Sequence, residues 1–383
     1  MSAASLRRHA LAAMVVVCGC GRTDPLRGAP ASAPPDVSVS CPAPGRVEGR
    51  VCATDGTTWL NGAAVSVDAI DCAGNATKVT ATSGADGTFE LSGVPPGVWP
   101  LTVATGAFAS TQTVTVEPGE LTLLPVGVCV VQGPVKIAVV TGTGDRIEKL
   151  LDQLDLQYTL VRGDESNWLG EAAPFFADLA TLEQFDLIFV DCAAAHGASS
   201  LIDFGPSAAQ IEANLAAFVD HGGSLYASDW ALLFSAYAAP GSFNFSLQNA
   251  GAASDPVDTR QLMGFAPQTL TAQVKDSGLA GFLGKDSLTI VFPNSAGAVT
   301  NHWGLIDSVA DAQVLVQADG VEWCSDDSCA HSGGARDAVP LAVLRKVGPT
   351  GRKGGNVVYT SFHNIAQPGE DVAQLLKYLV LNL

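Results

Sequence analysis

A small antiparallel β-sandwich followed by an α/β domain with a doubly wound, mostly parallel sheet is the fold class this 383-residue sequence predicts. Two observations predict it. Between residues 46 and 132, short runs with period-2 apolar alternation are cut at close intervals by Gly, Asp, Asn and Pro, as in antiparallel sandwiches. From Pro134 onward, apolar strand-like runs alternate with helical patterns, as parallel sheets with crossover helices require. A leader and a tether precede both.

The leader is residues 1–19. Arg7 and Arg8 form a positive head, and Leu11 to Val17 is an apolar stretch of signal-peptide length, too short to span a bilayer as a helix. Val17-Cys18-Gly19-Cys20 then resembles a bacterial lipobox, with an aliphatic residue three places before Cys20 and a small one just before it. The resemblance implies that Cys20 becomes the lipidated N-terminus. Each buried CH₂ adds about 0.8 kcal/mol of membrane affinity, so several acyl chains anchor where one does not. Gly21, not an aspartate, follows Cys20, which points to the outer membrane, on its periplasmic or surface face. Residues 20–45, rich in Pro, Ala, Ser and Gly, read as a disordered tether.

The formal net charge is −18, and loss of Arg7 and Arg8 with the leader makes it about two units more negative. Nucleic acid and anionic lipid surfaces are excluded as partners. No cofactor is expected.

Nine cysteines in an exported chain are a disulfide count. Cys18 leaves with the leader and Cys20 takes lipid. Cys41, Cys52, Cys72 and Cys129 form an even set in the first domain, Cys324 and Cys329 flank the loop "CSDDSC", and Cys192 is left over. No histidine pair is spaced to turn these into a zinc site. Cys52 and Cys72 fall on adjacent predicted strands and are a possible pair, and Cys41 and Cys129 bracket the domain and are another.

Within residues 46–132, "TSGADGTFELSGVPPGVWPLTVA" sets an Asp86-Gly87 turn, an aromatic strand with Phe89 and Leu91 on one side, a Pro95-Pro96-Gly97 turn, and a strand carrying Leu101 and Val103. This order resembles the carboxypeptidase regulatory-like domain, a transthyretin-like sandwich. "VEGRVCATDGTTWLNGAAVSVDA" fits its opening. The resemblance implies a structural or adhesive module without an active site.

In residues 134–383, "VKIAVV", "QYTLVR", "FDLIFVD", "SLYASDW", "LAVLRKV" and "NVVYTSFHN" read as strands. "FDLIFVD", continuously apolar, is expected at the sheet centre. "DRIEKLLDQL" reads as a helix opened by Asp145 and Glu148 in capping-box spacing. "SAAQIEANLAAFVDH", closed by Gly222-Gly223, and "GEDVAQLLKYLVLNL" are two more. Residues 240–335 read as an irregular insertion. "TGTGDR" has the start of a phosphate loop, but Ile147 stands at its third glycine position.

This domain resembles the class I glutamine amidotransferase-like superfamily and its trehalose-utilisation-type relatives, with a flavodoxin-like fold. Those enzymes place a nucleophilic cysteine between glycines on a strained elbow after a strand, and bring a histidine from a late strand in a Phe-His-Pro-Glu context. Phe362-His363 matches the Phe-His pair, while Asn364 and Ile365 replace Pro-Glu. "DHGGSLYASDWALL" occupies the elbow, with Asp229 at the nucleophile position and Ala227, Ser228, Trp230 and Ala231 around it. No cysteine lies between 193 and 323, and a carboxylate is a feeble acyl-transfer nucleophile beside a thiolate, so amidotransferase chemistry is not expected.

Three readings of the strand ends remain. The first is a non-catalytic domain in which Asp229 caps a helix and His363 bonds to it, serving binding or scaffolding at the envelope, with a glycan or another envelope protein as partner. The second is a hydrolase using Ser228 and His363 with Asp229 or Glu370 as the acid. The third is a metal-dependent enzyme using Asp191, Asp229 and His363. Cys192, with His196 four residues on, is read as a buried thiol.

Overall fold

In the computed structural model the described residues are 40–383, apart from 125–126, 132, 134, 196–200, 203, 246–256, 259–262, 294–301, 325–328, 348–354, 366 and 368. The leader, Cys20, most of the tether and His196 lie outside the described residues.

Eight strands build the sandwich: β1 Gly45–Cys52, β2 Ala64–Ile70, β3 Ala76–Thr82, β4 Thr88–Val94, β5 Gly97–Thr105, β6 Phe108–Val116, β7 Leu121–Leu123 and β8 Val128–Cys129. The alternation does what a half-buried strand requires. In β2, Val65, Val67 and Ala69 point inward while the residues between them are wholly or partly exposed. One sheet has the order β3-β2-β5-β6, and the other β4-β1-β7 with β8 also on β1. The pairings of β7 and β8 with β1 are parallel, and all other pairings in the two sheets are antiparallel.

That topology corrects the disulfide pairing. β1 and β2 lie in opposite sheets, so Cys52 and Cys72 are not neighbours. Cys52 instead faces Cys129 in register on β8 and bonds to it, and Cys41 bonds to Cys72. Cys324 and Cys329 are bonded to each other, and Cys192 is a free buried thiol.

The second domain is organised by nine strands: β9 Ile137–Thr141, β10 Thr159–Arg162, β11 Leu187–Val190, β12 Ser224–Ser228, β13 Gln268–Val274, β14 Ser287–Phe292, β15 Gln313–Ala318, β16 Val339–Lys346 and β17 Asn356–Thr360. Their order is β10-β9-β11-β12-β17-β16-β15-β13-β14. The first five are parallel, in flavodoxin-like order. The other four continue the sheet antiparallel. All four residues of β11 are buried, as its unbroken apolar run requires.

The 240–335 segment is therefore not an irregular insertion. It contributes β13, β14 and β15 to the main sheet, and a second small sheet in the order His302–Trp303, Gly264–Phe265, Val321–Cys324, Ser332–Arg336.

Alternation along the parallel strands divides two cores. Ile137, Val139, Leu187 and Phe189 face the helices α1 (Ile147–Gln153) and Glu370–Asn382, and this layer is continuous with the sandwich interior. Ala138, Val140, Ile188 and Val190 face the helices Ala208–Asp220 and Leu232–Ala238. Polar contacts join the domains as well. Asn61 Nδ2 donates to the Gly278 carbonyl at 3.1 Å, and the Thr54 hydroxyl donates to the Leu154 carbonyl. A Cβ on Gly106 would come 2.6 Å from the Leu381 carbonyl oxygen, so the β5–β6 turn sits directly on the end of the last helix.

Candidate functional site

The chain leaves β9 and β11 in opposite directions across the sheet, to β10 on one side and β12 on the other. Ligands of such sheets bind beyond the strand C-termini at that reversal. Asp145 follows β9, Asp191 and Cys192 follow β11, Ser228 and Asp229 end and follow β12, and His363 follows β17. All six are buried.

The elbow after β12 exists without its glycines. Ser228 is extended, Asp229 takes φ +46°, and a helical turn Asp229–Ala231 leads into the helix Leu232–Ala238. Aspartate tolerates left-handed backbone better than most residues, at a cost of about 1–2 kcal/mol. The surroundings hold it there. The Gly304 N–H donates to Asp229 Oδ1 at 2.6 Å, and the Tyr359 hydroxyl donates to the Asp229 carbonyl at 3.0 Å. A side chain at position 304 would overlap the Tyr359 hydroxyl, so only glycine brings its N–H this close.

His363 lies between two carboxylates. Its Nε2 is 3.6 Å from Asp229 Oδ2 and its Nδ1 is 3.8 Å from Asp145 Oδ1. Its backbone N–H donates to Gln367 Oε1 at 2.9 Å. Asp145 in turn accepts from the Ser228 hydroxyl at 2.8 Å and from the Arg146 N–H at 2.7 Å. On the other side the Cys192 thiol donates to Asp229 Oδ2 at 3.6 Å. A continuous polar chain thus runs Ser228, Asp145, His363, Asp229, Cys192.

Several expectations change here. The proton of the Ser228 hydroxyl goes to Asp145, and its residue is fully buried, so the Ser228–His363 pairing gives way to Ser228–Asp145. Glu370 is exposed on the first turn of the last helix, while Asp229, the other acid expected there, does flank the His363 ring, with Asp145 at its second nitrogen. Asp145 is not a helix cap: Arg146 is the N-cap residue of α1 and makes no side-chain cap bond. Asp191 faces α1, with Oδ1 3.4 Å from the Ile147 N–H and Oδ2 without a hydrogen-bond partner, while Cys192 takes the place expected for it beside Asp229 and His363.

The "TGTGDR" glycines have a packing reason. A Cβ on Gly142 would overlap the Cys192 carbonyl, and one on Gly144 would come 2.7 Å from Cys192 Sγ. The loop is pressed on the strand-end turn that carries the thiol. Gly142→Ala is expected to cost about 3 kcal/mol, the upper end of overpacking penalties, because backbone has to move. Urea denaturation measures it, and an unchanged midpoint would contradict the close packing.

Burial governs the electrostatics. It is the largest influence on Asp191, reinforced by the nearby Asp145 and Glu148 charges, and holds that carboxyl well above the usual carboxylate range. Burial likewise raises Asp229, opposed by His363 and the Gly304 N–H, to about 6. Burial and then the Asp229 charge push the Cys192 thiol up.

An α/β domain of flavodoxin-like order, with an elbow that presents a carboxylate to a late-strand histidine, is the class these observations define. Residues 46–126 match the carboxypeptidase regulatory-like domain family. No curated protein matches the chain. Among solved structures, it is similar to a ThuA-like protein from Bacteroides uniformis, at 10% identity and a TM-score of 0.38, covering 67% of this chain and 93% of that one. It is also similar to a glutamine amidotransferase from Thermotoga maritima, at 8% identity and a TM-score of 0.34, covering 60% and 76%. At those scores neither likeness bears on activity. The fold rests on the strand order itself.

Proposed function

We propose that this chain is an exported lipoprotein, anchored at the outer membrane through Cys20, whose α/β domain binds a ligand or partner at the cell envelope without transforming it. The observation that carries the non-catalytic reading is Asp229. It stands at the nucleophile position of the elbow, 5% exposed, with one carboxylate oxygen already bonded to the Gly304 N–H. One oxygen of that carboxylate is thus engaged by backbone, and the group is almost shut off from solvent. The leader and the lipobox-like Val17–Cys20 support export, and the strongly negative charge supports a partner other than nucleic acid.

A glycan is the better-supported ligand. A groove at the strand ends is lined by Thr141, Gly142, Thr143, Arg146, Glu148, Leu160 and Asp164, hydroxyls and charges of both signs around one exposed leucine, which suits a polar ligand more than an apolar protein face.

The test is turnover by the purified mature chain on glutamine and on an ester and amide panel. None is expected. Turnover that disappears in His363→Ala, with the fold intact, would overturn the non-catalytic reading. Mass spectrometry of the mature N-terminus tests the anchor: an acylated Cys20 is expected, and an N-terminus elsewhere would refute it.

A further inference from the structure

We infer that Cys192, Asp229 and His363 form a binding site for a divalent transition metal of the zinc class, with Asp145 orienting the histidine. The inference concerns the strand-end cluster itself and does not depend on which ligand the domain binds. These residues are 37 and 134 positions apart along the chain, so only the fold brings them together.

Two of the three donor separations fit. One ligand atom each of Cys192, Asp229 and His363 lies within 4.8 Å of the others. Two of the separations, Sγ to Oδ2 and Nε2 to Oδ2, are 3.6 Å. A tetrahedral ion bound at about 2.0 Å by nitrogen and oxygen and about 2.3 Å by sulfur sets donor separations of roughly 3.3–3.6 Å. A thiolate, an imidazole and one carboxylate select zinc and its neighbours over magnesium or calcium.

The surrounding groups are also those a metal site uses. Metal-bound histidines commonly direct their other ring nitrogen at a carboxylate, and His363 Nδ1 faces Asp145. Asp145 is itself fixed by the Ser228 hydroxyl and the Arg146 N–H. Asp229 gives Oδ1 to the Gly304 N–H and keeps Oδ2 toward the thiol and the imidazole.

Charge supplies a further reason. Asp145, Asp191 and Asp229 are all buried in this one neighbourhood, and Asp191 Oδ2 has no hydrogen-bond partner. Buried carboxylates require compensation. A divalent cation bound by the Cys192 thiolate and the neutral His363 ring brings a net single positive charge to this cluster of acids. On binding, the Cys192 thiol gives its proton to solvent and the sulfur bonds the metal, with no change of oxidation state. No fourth histidine, cysteine or carboxylate joins the group among the described residues. The remaining position of a tetrahedral ion is left to water or a small anion.

Cobalt(II) titration of the mature chain, stripped with chelator, tests the site. One equivalent of cobalt is expected to give a near-ultraviolet thiolate-to-cobalt band that zinc abolishes by displacement. The other described cysteines are in disulfides, so Cys192→Ser should remove the band. Asp145→Asn keeps all three donors and should weaken zinc affinity about 10–100-fold. Circular dichroism establishes that each variant is folded. A folded wild-type chain without the band, or a band that survives in Cys192→Ser, overturns the site.

Discussion

His363→Ala is expected to destabilise the chelator-treated protein by about 3–5 kcal/mol, the range for breaking a buried pair. The reason is what the ring leaves behind. Asp145 and Asp229 approach it from opposite sides at 3.8 and 3.6 Å. Truncation to alanine opens a void and leaves two buried carboxylates facing each other across it. Asp145 still has the Ser228 hydroxyl and Asp229 still has the Gly304 N–H, so the loss falls on the charges rather than on every hydrogen bond. Equilibrium urea unfolding of wild type and variant measures the difference. An unchanged midpoint would mean that the ring does not stabilise the two acids, and the structural role assigned to it would be wrong.

Replacing Cys52 and Cys129 together by alanine is expected to cost about 4 kcal/mol, because the bond closes a loop with a sequence separation of 77 in the unfolded chain. Alanine suits both positions. Cys52 is buried on β1 beside Cys129 on β8, and a small apolar residue leaves the strand pairing intact. The same change at Cys324 and Cys329, separated by 5, is expected to cost about half as much on the same loop-entropy argument. Denaturation of both double variants gives the ranking, and the reverse order would contradict it.

What the sequence disclosed and what it hid have physical causes. Leu187–Val190 is apolar at every position, so its central place in a parallel sheet was legible. The period-2 runs of the sandwich were legible for the same kind of reason. "QTLTAQV", which forms β13, buries only Leu270 and Ala272 and reads like loop between Gly- and Ala-rich neighbours. Disulfide pairing depended on which sheet each strand joins, and strand sequence does not state that.

At the site, Asp229 and His363 were legible because each follows a recognisable strand. Asp145 was misread, since Asp-x-x-Glu ahead of an apolar run has the spacing of a helix cap. Its partner Ser228 is 83 positions away, and Gly304 is 75 positions from Asp229. Bonds of that span leave no local pattern. The elbow survived without glycines because tertiary donors, not the flanking residues, hold Asp229 at positive φ.

The apolar layer shared by the two domains carries one more consequence. Sandwich residues such as Leu101 and Phe108 belong to the same buried cluster as Leu379 and Leu381 of the last helix. Neither half closes its interior alone, so heating should disassemble both in one cooperative transition, with van't Hoff and calorimetric enthalpies that agree. Excising residues 46–132 would then yield no smaller folded protein, because the apolar end of the last helix that packs on the β5–β6 turn would be open to water.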